Sequence, residues 1–150
     1  MVFYVGKNNS SDYSKAMVLS AAAIRKAIAT KVVAIRPFSE DQLEAAHINL
    51  HLGAFLLTGE EVSVILPSKG FILARTRERI TLAPHICGMI EGRSKLAQRG
   101  ISIEQSSTFI EPGSDCTMVL EIFNASDESI ELHQGDKIAK LVLLRMTDEI

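Results

Sequence analysis

An antiparallel β domain (a sandwich, jelly roll or barrel) that follows one short helix is the fold class that this 150-residue sequence predicts. After Pro37, about ten short apolar runs succeed one another, turn-forming residues separate them, and no helical run lies between them. Strands spaced in this way are typical of antiparallel sandwiches and barrels. The runs are INLHL, AFLL, VSVIL, FILAR, RITLA, ICGMI, ISIEQ, TMVLEIF, SIEL and KIAKLVLL, and the breaks fall at Thr58-Gly59, Ser68-Lys69-Gly70, Pro112-Gly113, 124–127 and Gln134-Gly135-Asp136.

The short helix is predicted over SAAAIRKAIATK, residues 20–31. Ser20 can cap the first turn with its hydroxyl. Ile24, Ala27 and Ile28 recur at the spacing of one helix face, so the helix has one apolar side. Residues 1–16, in contrast, are mostly polar and are interpreted as a flexible or accessory arm, which leaves residues 17–150 as a single domain.

Composition excludes several classes of function. Apolar residues make up 47% of the chain and charged residues 23%, as in ordinary globular domains. A formal net charge of −2 argues against a broad surface for nucleic acid, because such a surface needs a basic face. No run approaches the ~18 apolar residues of a membrane span, and no signal peptide is recognisable at the N-terminus. The expected protein is soluble and cytoplasmic, with no membrane or nucleic-acid partner.

The stretch EGRSKLAQRGI, residues 91–101, interrupts the strand pattern with a single predicted helical turn. Ser94 suits the cap position, KLAQR has high helix propensity, and Gly100 suits the left-handed residue that ends a helix. Arg93 and Lys95 beside the first turn outline an anion site. Composition alone favours the alternative, which is a one-turn connector whose charges face water.

The histidines and cysteines do not predict a metal site. His47 and His51 share one face of a strand with Asn49, and side chains on a half-exposed strand explain this placement better than metal ligation. A zinc deaminase needs a His or Cys beside an essential Glu and a paired Cys-x-x-Cys, whereas Cys87 and Cys116 stand alone. We interpret both cysteines as small core hydrophobes.

Several segments, in order, resemble the dCTP deaminase branch of the trimeric dUTPase family. EGRSKLAQRGI is similar to the motif GRSSLARxGI, and LSAAAIRKAI is similar to the family's opening helix. IRPFSEDQLEAAHINLHLG, FIEPGSDCTMVLEIFN and IELHQGDKIAKLVLLR resemble three further family motifs, so the resemblance spans roughly residues 18 to 145. It implies a distorted β jelly roll that assembles as a homotrimer, with active sites shared between subunits.

The resemblance also implies a phosphate-binding group. Arg93, Ser94 and Lys95 would face the triphosphate of dCTP or dUTP, with Mg²⁺ carried on the phosphates and no zinc. Lys140, in the closing motif, is assigned to the same group. The resemblance thus implies that the cationic turn binds the nucleotide at the interface between adjacent subunits.

Glu121 matches the Glu that relays protons in the deaminase branch, where it activates water to attack carbon four of cytosine and then helps ammonia to leave. Alternation in TMVLEIF places it between Val119 and Phe123 on one face, where burial would raise its pKa. From the pattern alone, an edge strand with Glu121 in solvent is equally compatible. Glu111 matches a family Asp that, in the dUTPase branch, contacts the sugar and orients the attacking water; the alternative is an ordinary turn acid before Pro112.

Departures from the family motifs fall on functional positions. Asn49 replaces an Asp, Lys95 replaces a Ser, and Gln98 replaces the Arg that normally lies close to the catalytic Glu. Lys140 replaces the Gln of the closing motif. Family members usually continue into a tail that closes over the bound triphosphate, whereas this sequence ends at Ile150, so weak or slow chemistry is expected.

Three functions stay open at this point. The first is a dCTP deaminase-like hydrolase that produces dUTP and ammonia, with Glu121, Gln98 and Glu111 as its catalytic residues. The second is a dUTP diphosphatase that produces dUMP and pyrophosphate, which Glu111 supports. The third is a non-catalytic relative that binds nucleotide or only assembles as a trimer, and the departures support this one. The lineage is best assigned to the deaminase branch.

Overall fold

A computed structural model describes residues 17–57, 59, 61–106 and 108–147. The predicted arm, residues 1–16, lies outside this range. The described residues form ten strands, two short α-helices and one 3₁₀ turn. In chain order these are α1 (Ala21–Ala29), β1 (Val33–Arg36), the 3₁₀ turn (Glu40–Gln42), β2 (Ile48–Phe55), β3 (Ser63–Leu66), β4 (Phe71–Leu82), β5 (Ile86–Gly92), α2 (Ser94–Ala97), β6 (Ile101–Ser102), β7 (Phe109–Ile110), β8 (Asp115–Asn124), β9 (Ile130–His133) and β10 (Lys137–Arg145).

One large antiparallel sheet dominates the fold. Its strands lie in the order β6-β8-β4-β2-β10-β5-β7. Strand β1 pairs with residues 79–82 of β4, beyond the residues of β4 that pair with β2. Strands β3 and β9 form a separate two-stranded sheet. Every described ladder is antiparallel. The mainly β architecture after one short helix, predicted from the runs and turns, is confirmed.

Helix α1 begins and packs as the sequence predicts. The Ser20 hydroxyl accepts a hydrogen bond from the Ala23 N–H at 3.4 Å, which caps the first turn. Ile24 and Ala27 are buried and Ile28 packs against the same core, so the apolar face closes one side of the sheet. The chain then continues directly into β1, which pairs with the end of β4.

Strand β4 differs from its prediction because two predicted strands, FILAR and RITLA, are one strand of 12 residues. Residues 76–78 lie between these two predicted runs. In the structure they continue the strand with inward and outward residues alternating, and the ladder to β8 shifts register between Arg75 and Arg79. Thr76 and Glu78 point inward and are buried, whereas Arg77 points outward.

The core lies on one face of the large sheet. Ile48, Leu50 and Leu52 on β2 are completely buried, and Leu141 and Leu143 on β10 continue the same layer. Each such side chain stabilises the fold by about 1.5–3 kcal/mol relative to an exposed position. The two central strands therefore have a fixed register, because a slip of one residue would move these side chains to the other face.

The expectation that both cysteines are core residues is half wrong. Cys87 on β5 is buried, but Cys116 is exposed near the start of β8. The first residues of β8 are exposed or half-buried, and its fully buried alternation begins only at Leu120. No helix among the described residues is long and apolar enough to cross a membrane.

Candidate functional site

Two pockets contain most of the residues that the sequence singled out. The first, here called the cationic pocket, has a volume of 230 Å³. It forms where the end of β5 and the start of α2 meet the middle of β10 and the residues that lead into β2. Its lining comprises Glu44, His47, Asn49, Arg93, Ser94, Lys95 and Lys140. The four predicted phosphate-binding residues, Arg93, Ser94, Lys95 and Lys140, thus lie together, although the sequence separates Lys140 from the others.

Helix α2 is shorter than a dipole-based anion site requires. It spans only Ser94–Ala97, and Arg93 rather than Ser94 occupies the cap position. The predicted capping role of Ser94 is therefore wrong by one residue, because Arg93 has the extended backbone that precedes a helix and Ser94 is already in the first turn. A single turn carries little macrodipole. Side-chain charge must supply most of the positive potential.

Arg93 is held in place by strand β2. Its guanidinium donates a hydrogen bond to Asn49 Oδ1, and Asn49 Nδ2 donates to Glu44 Oε1 at 3.3 Å. Lys140 lies opposite Asn49 in the β10–β2 ladder and opposite Glu91 in the β10–β5 ladder. Asn49, the residue that replaces a family Asp, therefore links a pocket cation to the pocket's carboxylate.

His47 also lines the cationic pocket, which the sequence did not predict. The pKa of its imidazole is lowered because burial penalises the charged ring, and the nearby cations Lys140 and Arg93 add to this effect. The Glu44 carboxylate acts in the opposite direction but is outweighed. The pocket thus has three permanent cations, one carboxylate and one imidazole that is largely neutral near pH 7.

The view of β2 as a half-exposed strand is wrong. Asn49 and His51 are both buried, and both contact a buried polar network. The centre of this network is the fully buried carboxylate of Glu78, whose Oε1 accepts a hydrogen bond from Gln42 Nε2 at 3.0 Å. Gln42 Nε2 also lies 3.0 Å from the Asn49 carbonyl oxygen, and the Gln42 side-chain oxygen accepts from the Ser39 N–H at 2.8 Å. The network therefore supports the strand that holds Arg93.

The second pocket, here called the Glu121 pocket, has a volume of 330 Å³ and lies along β8 and the segment after β6. Its lining comprises Ile103, Glu104, Ser106, Cys116, Thr117, Met118, Val119 and Glu121. Glu121 Oε2 accepts a hydrogen bond from the Gln105 N–H at 2.8 Å, and Oε1 accepts from the Ser106 hydroxyl at 3.0 Å. The carboxylate is thus fixed at the pocket wall by two donors.

The expectation that burial raises the pKa of Glu121 is wrong. The hydrogen bond from the Gln105 backbone and the one from the Ser106 hydroxyl lower this pKa, and they outweigh the partial burial of the side chain. Burial does raise the pKa of Glu104, in the same pocket. Glu121 is therefore an ionised carboxylate throughout the neutral range.

Two further predicted catalytic residues line neither pocket of their own chain. Gln98 is exposed at the C-terminal end of α2, and Glu111 is exposed in the turn after β7, where its carbonyl oxygen accepts from the Ser114 hydroxyl at 2.6 Å. Their joint action with Glu121, which was predicted for active sites shared between subunits, stays a prediction. Within the described ranges, no group of three or more His, Cys, Asp or Glu residues is placed to hold a metal ion.

Solved structures place this fold in a known class. The 2′-deoxycytidine 5′-triphosphate deaminase of Agrobacterium tumefaciens superposes with a TM-score of 0.71 at 15% identity, and the match covers 87% of this chain but only 47% of that one. EIAV dUTPase gives a TM-score of 0.60 at 20% identity, covering 79% and 92% of the two chains. A dUTPase mutant from S. aureus phage phi11, described with a structural Mg(II) ion, gives 0.59 at 16% identity, covering 79% and 94%. The protein therefore has the dUTPase-like β fold.

Sequence comparison then narrows the class. A model of the dCTP deaminase-like family matches residues 56–146. The dUMP-forming dCTP deaminase of Aquifex aeolicus is 30% identical, and the match covers 87% of this chain and 82% of the relative. The dCTP deaminase of Pyrococcus horikoshii is 34% identical over 125 residues, which cover 79% of each chain. This chain belongs to the dCTP deaminase-like family.

Proposed function

We propose that this protein is a dCTP deaminase that hydrolyses dCTP to dUTP and ammonia. The observation that carries the proposal is the fixed, ionised Glu121 on a pocket wall, in a chain of the dCTP deaminase-like family. A carboxylate that is already deprotonated can accept a proton from water as soon as the water attacks. Its two hydrogen-bond donors hold it in one orientation, which lowers the cost of reaching the reactive geometry.

The proposed reaction moves one proton twice. Glu121 takes a proton from a water molecule while the water oxygen bonds to carbon four of the cytosine. The same proton then passes to the exocyclic nitrogen, and the proton of the new hydroxyl group passes to ring nitrogen three. The bond from carbon four to the exocyclic nitrogen breaks, and ammonia leaves as the carbonyl of uracil forms. Atoms balance as dCTP and water giving dUTP and ammonia.

The cationic pocket is proposed to hold the triphosphate. Arg93 and Lys95 approach it from the start of α2 and Lys140 from β10, and the Ser94 hydroxyl adds a neutral donor. Guanidinium and ammonium groups form charge-assisted hydrogen bonds with phosphate oxygens. Mg²⁺ would enter on the phosphates, because the described lining of this pocket offers a single carboxylate, Glu44.

We further propose that the active molecule is a homotrimer. Phe71, Phe109 and Val119 are 44–50% exposed, and Val119 borders the Glu121 pocket, so apolar surface lies beside the proposed chemistry. The cationic pocket and the Glu121 pocket share no lining residue. In the proposal, one subunit supplies the Glu121 carboxylate and the neighbouring subunit supplies the cationic pocket. Gln98 and Glu111 would contact a substrate only at the interface between two subunits.

The test is incubation of the purified protein with dCTP and, separately, with dUTP in the presence of Mg²⁺. Nucleotides are separated by chromatography, ammonia is measured in a coupled assay, and the molar mass in solution is measured in parallel. We expect dUTP and ammonia from dCTP, with a mass near three times 16.4 kDa. Formation of dUMP would add the diphosphatase step that the Aquifex relative's name indicates. No product from either nucleotide, with the trimer intact, would overturn the proposal in favour of a non-catalytic relative.

A further inference from the structure

We infer that His47 is a phosphate ligand of the cationic pocket that becomes protonated when a polyphosphate binds. This inference rests on the proposed function of the pocket and adds His47, which was not assigned to phosphate binding from the sequence. It makes the affinity of the site for polyphosphate depend on pH.

The position of His47 in the pocket carries the inference. Its side chain lines the same 230 Å³ volume as Arg93, Lys95 and Lys140, and it is only partly exposed. Any anion that contacts the three permanent cations in a pocket of this size also lies near the imidazole. A protonated imidazole has two N–H donors and one positive charge, so it can join the other cations in binding phosphate oxygens.

Three of the other polar residues of the pocket are hydrogen-bonded in a chain. Arg93 donates to Asn49, and Asn49 donates to Glu44, which ties the pocket's carboxylate to strand β2. The groups that face His47 from the neighbouring elements are Glu44 from its own loop, Arg93 from the end of β5 and Lys140 from β10. Burial of the ring is the main cause of the lowered pKa of His47, and the two cations among these groups add to it, so the neutral imidazole is favoured when no anion is bound.

A bound polyphosphate reverses this balance. Inorganic triphosphate carries about four negative charges near pH 7, more than the pocket's cations can compensate once Glu44 is counted. The pKa of His47, which is lowered in the free protein, would then rise. By linkage, binding takes up a proton, and affinity is highest below the pKa of the free protein and declines as pH rises through the pKa of the complex.

The chemistry of the pocket also indicates the class of ligand. The permanent charges sum to two positive, or three when His47 is protonated, from the three cations and Glu44. A single carboxylate or a nucleoside without phosphates leaves this charge uncompensated. The chain of a nucleoside triphosphate matches it best, so His47 would favour triphosphates over monophosphates, more strongly at low pH.

The experiment is calorimetric titration of the full chain with inorganic triphosphate between pH 5.5 and 8.5, each pH in two buffers of different ionisation heat. The wild-type protein and His47→Asn are compared, with His133→Asn as the control, because His133 is exposed and lies outside the pocket. Ionisation of the ligand itself affects all three proteins equally. We expect the wild-type protein and His133→Asn to take up more protons on binding than His47→Asn does. We also expect the ratio of affinity at pH 5.5 to affinity at pH 8.5 to be about five- to tenfold larger in these two proteins than in His47→Asn.

Equal proton uptake and equal pH slopes in wild type and His47→Asn would overturn the inference while leaving the phosphate pocket intact. Failure of the wild-type protein to bind triphosphate at any pH would overturn both the inference and the proposed role of the pocket. Titration of the His47 ring by NMR in wild-type protein, with and without triphosphate, gives a measurement that needs no variant. An unchanged pKa on saturation would also overturn the inference.

Discussion

The buried carboxylate of Glu78 contacts one residue, His51, twice: the backbone N–H donates to Oε2 at 2.9 Å, and ring Nδ1 lies 2.7 Å from Oε1. The backbone and the ring of His51 thus both contact the same carboxylate. Gln42 also donates a hydrogen bond to this carboxylate. Glu78 thereby joins β4, β2 and the 3₁₀ turn behind the cationic pocket.

Replacing Glu78 with Gln should destabilise the fold. The amide nitrogen of the new side chain would face the N–H donors of His51 or Gln42, which leaves buried donors without an acceptor. We expect a loss of about 2–4 kcal/mol in the free energy of unfolding, measured in urea. Glu131→Gln, which alters an exposed pair with His133, should change this free energy by less than about 1 kcal/mol. Losses of similar size in the two variants would argue against the network.

Gly100 should resist substitution more strongly than a second glycine with the same backbone conformation. Gly100 has φ +83°, and an added Cβ would lie 2.8 Å from the backbone nitrogen of Ser126. Gly113 has φ +76° but no atom within 4 Å of its added Cβ. We expect Gly113→Ala to cost about 1 kcal/mol, from backbone strain alone, and Gly100→Ala to cost about 2–4 kcal/mol. Equal urea midpoints would show that the loop at Ser126 moves aside freely.

Glu121→Gln should stop the chemistry without emptying the site. Glutamine keeps the shape of the side chain but cannot accept a proton from water at neutral pH. We expect ammonia release from dCTP to fall about 100-fold or more, while the Kd for dCTP changes by less than a factor of about three. Glu128→Gln, an exposed residue outside both pockets, is the control. Unchanged ammonia release from the Glu121 variant would exclude the proposed proton relay.

Removal of Arg93 and Lys95 together should affect nucleotides and nucleosides differently. Each cation is expected to form a charge-assisted contact with phosphate, so Arg93→Ala with Lys95→Ala should weaken dCTP binding by about 100-fold or more. Binding of deoxycytidine, which has no phosphate, should change little. Arg99→Ala removes an exposed cation just after α2 and outside the pocket, so it controls for loss of charge. Equal losses for the nucleotide and the nucleoside would indicate a structural role.

The pH dependence of kcat/KM should reflect the two hydrogen bonds that Glu121 accepts from Gln105 and Ser106. Because its pKa is lowered, Glu121 stays ionised down to a pH below the usual value near 4.5, and the base form is lost only as pH falls through the lowered pKa. Ser106→Ala removes one of the donors, so this pKa should rise and the acid limb of kcat/KM should move to higher pH. The carboxyl can be titrated directly by NMR, with Ser129→Ala as a control. An unmoved titration in the Ser106 variant would mean that the Gln105 N–H alone holds the carboxylate.

Local patterns predicted the fold and the cationic turn well. The Ser20 cap, the apolar face of α1 and most of the turns depend on neighbouring residues, which a sequence displays directly. Arg93, Ser94 and Lys95 are adjacent in the chain, so the sequence alone displays their charge cluster. Placing Lys140 beside them required the resemblance, because only the register of β10 against β2 and β5 brings it there.

The missed residues depend on contacts that the sequence does not display. His47 enters the pocket because it precedes β2 next to the central ladder, not because of any motif. Glu78 stands among charged residues in RTRER, a pattern typical of solvent, and is buried because Gln42 and His51 satisfy its oxygens. The prediction that the pKa of Glu121 is raised was wrong for the same reason. Strand alternation indicated its face, but the donors at Gln105 and Ser106 lie on a different segment.

The two described pockets share no lining residue, so substitutions in one pocket can accumulate without changing the lining of the other. A substitution of Lys95 or Lys140 alters the cationic pocket and leaves the lining of the Glu121 pocket unchanged. Changes around Cys116 and Ser106 likewise leave the cations in place. If the proposed assignment is correct, base selectivity and phosphate affinity can therefore vary as two independent traits on one scaffold.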